Sequence, residues 1–382
     1  MRFPEYYFKK LVINASIWKH PSYIQLYIRR AGSQFNFRMN QSVVIAPISE
    51  SLSEFISSNQ YSKIIVIADN HTKKHCYPVL KKILPKHSLV TVPAGESQKT
   101  LATCEKIWKA MTEEELDRHA LVINIGGGVI GDMGGFCAAV YKRGIHFIQV
   151  PTTLLSQVDA SVGGKLGIDF QGFKNHLGVF DLPEKVLIDP AFLNTLPERE
   201  IRSGFAEIIK HCLIADAAKW EEIRQKDFED QNWQDLIAHS VKIKQQVVEQ
   251  DPKEKGLRKI LNFGHTLGHA VETCFLNKPQ GQRLFHGEAI AIGMIMESYL
   301  SFARKMIDQQ TLTDIEEFLF ATYGKVNISA EDIEEIIALT RQDKKNKGKE
   351  VRFSLLKEAG QCEYDVVIAA SEMRKAIAYY LG

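Results

Sequence analysis

Between about residue 42 and residue 190, short β-branched apolar runs alternate with segments of helical periodicity. The runs at 42–46, 64–68, 89–92, 121–125 and 147–150 are apolar at successive positions instead of every second one, which predicts strands buried on both faces. Helical spacing fills the intervals, as at 101–115. Strands alternating with helices predict a largely parallel sheet covered on both sides. Beyond Pro197 the strand signal thins, and 198–217, 233–250, 287–304, 315–323 and 331–340 carry helical periodicity. The expected organisation is an N-terminal extension (1–38), an α/β domain (39–196) and a mainly α-helical domain (197–382), with a ligand between the last two.

A chain of 382 residues has the length for two such cores, and 45% hydrophobic with 25% charged residues excludes a disordered chain. No apolar run reaches the ~18 residues of a membrane span, so no membrane partner is expected. A formal net charge of +2 argues against a nucleic-acid partner. That figure conceals a division. Arg2, Lys9, Lys10, Lys19, Arg29, Arg30 and Arg38 against Glu5 give the extension +6 and leave −4 for the remainder. The extension has no signal-peptide pattern, its Tyr and Phe content fits a transit peptide poorly, and Met39 is a candidate true start. Six isolated cysteines without a C-x-x-C pair point to reduced, buried thiols and a cytoplasmic protein.

Directly after the buried run 121–125 stands Gly126-Gly127-Gly128-Val129-Ile130-Gly131-Asp132, a G-x-G-x-x-G pattern between strand and helix. Such glycines let backbone N–H groups approach a diphosphate at a helix N-terminus. No acid lies in 145–158 to hold a ribose, so the domain is Rossmann-like without being an ordinary Rossmann one. Asp69 and Glu96 are the candidate substitutes, with helix cap or loop residue as the alternative for each.

The helical half holds Gly264-His265-Thr266-Leu267-Gly268-His269, two imidazoles one turn apart. His286 opens another helical segment, and Glu207 lies in a third. Two histidines and a carboxylate with one open position make a catalytic zinc set, which leaves one histidine for acid–base work. Lys165, Lys174, Lys210, Lys244 and Arg258 are interleaved with these motifs and predict a pocket for an anionic, phosphorylated substrate.

In this order, Gly95-Glu96-x-x-Lys99, the run 126–132, Pro151-Thr152-Thr153, Asp159 through Gly163-Gly164-Lys165, Lys174-Asn175, Thr195-Leu196-Pro197, Glu207-x-x-Lys210, Glu254-x-Gly256-Leu257-Arg258, Leu261 through Thr266, His286-Gly287-Glu288 and Asp343-Lys344-Lys345 resemble the 3-dehydroquinate synthase family. The resemblance spans about 42–356. It implies a homodimeric, NAD- and divalent-metal-dependent carbon–oxygen lyase of the shikimate pathway. Such an enzyme converts 3-deoxy-D-arabino-heptulosonate 7-phosphate, a small phosphorylated sugar acid, to 3-dehydroquinate and phosphate. The resemblance implies NAD contacts at Asp69, Glu96, Lys99, Gly127, Gly128, Asp132, Thr152, Thr153, Lys165, Lys174 and Thr195. Zinc, or cobalt in its place, falls to Glu207, His265 and His286. Substrate and catalytic positions match Asp159, Lys165, Asn175, Lys210, Lys244, Arg258, Asn262, His269 and one of Lys344 and Lys345, with Arg143 reaching the phosphate of the neighbouring subunit. Leu166 and Asp169 depart from the residues common after the Gly-Gly-Lys, and the loop at 274–285 looks long. Another sugar-phosphate cyclase and a non-catalytic nucleotide-binding relative are the alternative functions.

Overall fold

The computed structural model describes residues 43–171, 173–276, 278–340 and 350–382. The extension, Met39, Lys344 and Lys345 lie outside the described residues. Five strands form where the apolar runs predict them: β1 (Val43–Ile45), β2 (Ile64–Asp69), β3 (Ser88–Val92), β4 (Leu121–Gly126) and β5 (His146–Pro151). With β8 (Lys185–Ile188) they make a six-stranded parallel sheet in the order β1-β8-β5-β4-β2-β3. The pleat explains the unbroken apolar runs, because successive side chains enter opposite cores. Ile65, Ile67 and Val122 face α4 (Leu101–Glu113) and α5 (Gly128–Val140). Val66, Ala68 and Ile123 face the layer of α1 (Ile48–Ser57), α2 (Asn70–His75) and α3 (Tyr77–Lys81).

An antiparallel hairpin, β6 (Lys165–Phe170) with β7 (Phe173–Phe180), was not expected from the sequence. It is seated on α5 through Leu166: a Cβ on Gly135 would stand 2.6 Å from Leu166 Cδ2. The departure at Leu166 is thus a packing feature. The departure at Asp169 is a turn feature, its Oδ1 accepting the backbone N–H of Asn175 at 2.7 Å.

The helical part comprises α6 (Glu198–Ala215), α7 (Ala217–Arg224), α8 (Trp233–Gln250), α9 (His265–Leu276), α10 (His286–Ala303), α11 (Gln309–Tyr323), α12 (Ala330–Thr340) and α13 (Ala370–Leu381). It also contains a second unforeseen hairpin, β9 (Val351–Glu358) with β10 (Gln361–Ile368). Helix α11 starts six residues earlier than its periodicity indicates, because Asp308 accepts the Thr311 N–H at 2.8 Å and caps it. Helix α9 runs to Leu276, so the start of the long loop at 274–285 is helical. One core joins the helices to the sheet: Leu154, Val158, Val186 and Ile188 pack in the same cluster as Phe205, Leu267 and Ile290.

Candidate active site

The carboxyl ends of β2, β4 and β5 carry Asp69, Gly126 and Pro151, where open parallel sheets bind ligands. The glycine turn owes its composition to space. Gly127 has φ −72° and ψ −171°, an extended backbone, but a Cβ there would stand 3.0 Å from Thr153 Cγ2. On Gly126 it would meet Ile130 Cβ at 2.6 Å. No side chain among the described residues caps the N-terminus of α5, which leaves its first N–H groups available to an anion.

Lys99 is buried between Asp132 Oδ2 and Asn175 Oδ1, donating to each at 2.6 Å. Burial works against its charge, yet Asp132, Glu96 and Asp169 hold its pKa above the ordinary lysine value. Asp69 caps α2, accepting from Thr72 N at 2.8 Å, so the alternative of a helix cap holds while the residue still sits at the sheet edge. Thr152 and Thr195 both reach the thiol of Cys76, whose pKa burial and the Asp69 charge push up to about 11. Glu96 stands on an exposed turn, 3.9 Å from Lys174 Nζ.

Three helices deliver the second cluster. Helix α10 lies directly on its neighbours: a Cβ on Gly287 would be 2.0 Å from Ser203 O of α6, and one on Gly293 2.0 Å from Gly264 O at the start of α9. These approaches bring His286 and His265 to Glu207. Their Nε2 atoms lie 3.6 and 3.4 Å from its Oε1. The rings of His265, His269 and His286 have centroids 4.9 to 5.7 Å apart. His265 Nδ1 is 3.1 Å from Phe263 O, which turns Nε2 toward the carboxylate.

Glu207 is fully buried, and its Oε1 has no hydrogen-bond partner among the described residues. An unpartnered buried carboxylate oxygen facing imidazole nitrogens is a donor set suited to a divalent cation. Burial opposes the charge of Glu207, but Lys210 beside it brings its pKa down to about 2. Burial likewise opposes the charge of His286, and Glu272 and Glu207 outweigh it, raising its pKa to about 10.

The cations form a third group, in which each lysine is paired with a carboxylate. Lys210 pairs with Glu207, Lys165 with Glu254, Lys174 with Glu272 and Lys244 with Asp159, the last at 2.6 Å. Asn262 Nδ2 donates to Glu254 Oε1 at 2.9 Å. Arg258 is buried, with Nη1 donating to Pro252 O at 2.7 Å while Nε has no hydrogen-bond partner among the described residues. Gly163 and Gly164, at φ 108° and 66°, make the left-handed turn that admits the Arg258 guanidinium beneath it. Arg143 stands apart on an exposed turn, and no contact among the described residues joins it to these groups.

Three acidic or imidazole residues of the site escaped the sequence reading. Glu254 appeared there only as part of a motif. Glu272 follows His265 by seven residues on one face of α9, a spacing that was available as a signal. His211, fully buried, has Nδ1 2.5 Å from Ser240 Oγ and Nε2 3.7 Å from Asp159 Oδ1, and burial drives its pKa down to about 3. Nothing in the local sequence marked it.

A family model described as 3-dehydroquinate synthase N-terminal matches residues 89–203, and one described as 3-dehydroquinate synthase C-terminal matches 204–346. A 3-dehydroquinate synthase of Parabacteroides distasonis is 37% identical over 346 residues, covering 89% of this chain and 98% of that protein. That of a Sulfurovum species is 43% identical over 272 residues, 71% of this chain and 77% of its own length. Among solved structures, the 2-epi-5-epi-valiolone synthase ValA of Streptomyces hygroscopicus, with NAD+ and Zn2+ bound, has a TM-score of 0.79 at 25% identity, covering 88% of this chain and 96% of that one. A 2-deoxy-scyllo-inosose synthase shares the fold, with a TM-score of 0.76 at 23% identity over 88% of this chain and 96% of its own.

Proposed function

The chain belongs to the 3-dehydroquinate synthase family, and on that premise we propose that it converts 3-deoxy-D-arabino-heptulosonate 7-phosphate to 3-dehydroquinate and phosphate. The observation that carries this reading is the meeting of Glu207, His265 and His286 around an unpartnered carboxylate oxygen, beside an array of buried cations. The class of reaction is a phosphate-eliminating carbon–oxygen lyase, and the product leads toward chorismate and aromatic amino acids. We assign NAD to the residues between Asp69 and Thr195 and zinc, with cobalt able to replace it, to Glu207, His265 and His286. The α/β part (39–196) is then the NAD-binding domain, and 197–382 the metal- and substrate-binding domain.

NAD, held by the residues between Asp69 and Thr195, would supply reversible hydride transfer at C5 of the substrate, and a cation held by Glu207, His265 and His286 would supply Lewis acidity toward the hydroxyl being oxidised. His269 receives the hydroxyl proton, its ring 4.9 Å from that of His265. The ketone acidifies the neighbouring C–H, whose loss expels phosphate. Lys165, Lys210, Lys244 and Arg258 offset the charge of the departing phosphate and of the substrate carboxylate. Reduction of that ketone, ring opening and aldol closure would then form the carbocycle. Asp159 holds Lys244, and Lys99 holds Asn175, at the substrate face. A homodimer, with Arg143 of each subunit serving its neighbour, and residence in the cytoplasm complete the proposal. Six free cysteines, five of them buried, suit a reducing compartment.

Purified protein given the heptulosonate phosphate, NAD and zinc is expected to release phosphate and form dehydroquinate in equal amounts, with chelation stopping both. Phosphate release that ignores the metal, or turnover of a different sugar phosphate alone, would overturn the proposal.

A further inference from the structure

Glu272 touches both the cofactor side and the metal side of the site. It lies on α9 with its side chain buried, 8% exposed. Its Oε1 accepts from Lys174 Nζ at 2.8 Å, and its Oε2 lies 3.4 Å from His286 Nδ1. The opposite nitrogen of the same ring, His286 Nε2, faces Glu207. Lys174 is on β7, within 3.9 Å of Glu96 and next in sequence to Asn175, which Lys99 ties to Asp132 on α5. A polar chain therefore runs from the glycine-turn helix to the imidazole cluster. Glu272 is the member that carries it from the sheet side to the helical side.

We propose that Glu272 is a positioning residue that couples occupancy of the cofactor site to occupancy of the metal site. The inference rests on the reading that both groups bind here. A carboxylate shared between an ammonium and an imidazole divides its charge between them. When Lys174 turns toward an anionic diphosphate, Glu272 is released to His286 Nδ1, which makes that ring a better metal ligand. By linkage, a cation on His286 must then favour the diphosphate to the same degree.

The test measures Co2+ binding by its visible absorption, and NAD binding by equilibrium dialysis, each with and without the other. In the unaltered protein NAD is expected to tighten Co2+ by about fivefold or more, a coupling of ordinary size. Glu272→Gln, which keeps the shape of the side chain, is expected to weaken Co2+ by about 10–100-fold and to erase the coupling. Lys174→Met, which frees Glu272 permanently, should erase the coupling and raise Co2+ affinity without NAD toward the value that NAD gives the unaltered protein. Circular dichroism establishes that each variant is folded. Coupling that persists in either folded variant, or Co2+ affinity unmoved in Glu272→Gln, overturns the inference. Binding of both groups to the unaltered protein with no mutual effect overturns it and leaves the proposed function standing, whereas binding of neither overturns both.

Discussion

Replacing Gly287 by alanine tests whether backbone contact between α6 and α10 is what assembles the imidazole–carboxylate cluster. A Cβ at this position would lie 2.0 Å from Ser203 O, 2.5 Å from Ser203 Cα and 2.6 Å from Ser203 C, whereas real Cβ contacts essentially never fall below 3.0 Å. All three atoms are backbone, so no side-chain rotation relieves the overlap, and the start of α10 must retreat by about 1 Å. Two effects oppose each other. Alanine is favoured over glycine in a helix by up to about 1 kcal/mol, and less near the first turn. Overpacking costs about 1–3 kcal/mol, so the clash wins and the melting temperature falls by a few degrees. The functional loss is larger. His286 immediately precedes the displaced residue, and a misplacement of about 1 Å in a catalytic constellation costs on the order of 100-fold in rate. The assay pairs thermal melting with zinc affinity by chelator competition and with turnover. Gly281→Ala is the control, since a Cβ there meets nothing within 4 Å. A Gly287→Ala protein that melts, binds zinc and turns over like Gly281→Ala would refute the reasoning.

Two further substitutions separate roles within the molecule. His265→Ala is expected to abolish tight zinc binding, whereas His269→Ala should retain zinc and slow turnover; equal loss of zinc in both variants would refute the assignment. Asp332 accepts from Lys278 Nζ at 2.6 Å and from Ser329 N at 2.9 Å, contacts that outweigh burial and hold its pKa at about 2. Because the folded pKa is depressed, the stabilisation is fully present above pH ~4 and is lost as pH falls through about 2. Urea melts of Asp332→Asn should show a deficit of about 1–2 kcal/mol at pH 7, discounted for the solvent around Lys278, which shrinks toward pH 2. A deficit independent of pH would contradict the assignment.

The parallel sheet could be read in advance because each central strand is apolar on both faces, a pattern that survives without knowledge of its neighbours. The hairpin of β6 and β7 could not, since β7 begins and ends on exposed Phe173 and Phe180 and carries Lys174, Asn175 and His176 in succession, resembling neither a buried strand nor a helix. The same division holds within the site. The glycine turn and the pair His265 and His269 are local signals, generated within seven residues or fewer. The partners of the cations are set by the fold: Lys165 meets Glu254 across 89 residues, and Lys174 meets Glu272 across 98. No local spacing encodes such a pair. Asp69 marks an intermediate case, in which its place at a strand end was legible but its engagement with Thr72 depended on whether a helix began there.

That long-range pairing changes how the cationic pocket works. A lone ammonium in this interior would lose its proton, because burial disfavours the charged form. Lys244 shows the pressure: burial draws its pKa down to about 8 even with Asp159 Oδ1 at 2.6 Å. Without that carboxylate the amine would titrate lower still and would be largely neutral near pH 7, unable to meet a phosphate. Asp159 therefore does not simply compete with an anionic substrate for Lys244; it keeps that amine protonated. In the proposed reaction, an arriving phosphate or carboxylate would meet a charge that is already stabilised. An anion that displaces Asp159 from buried Lys244 would also have to satisfy the carboxylate it leaves behind.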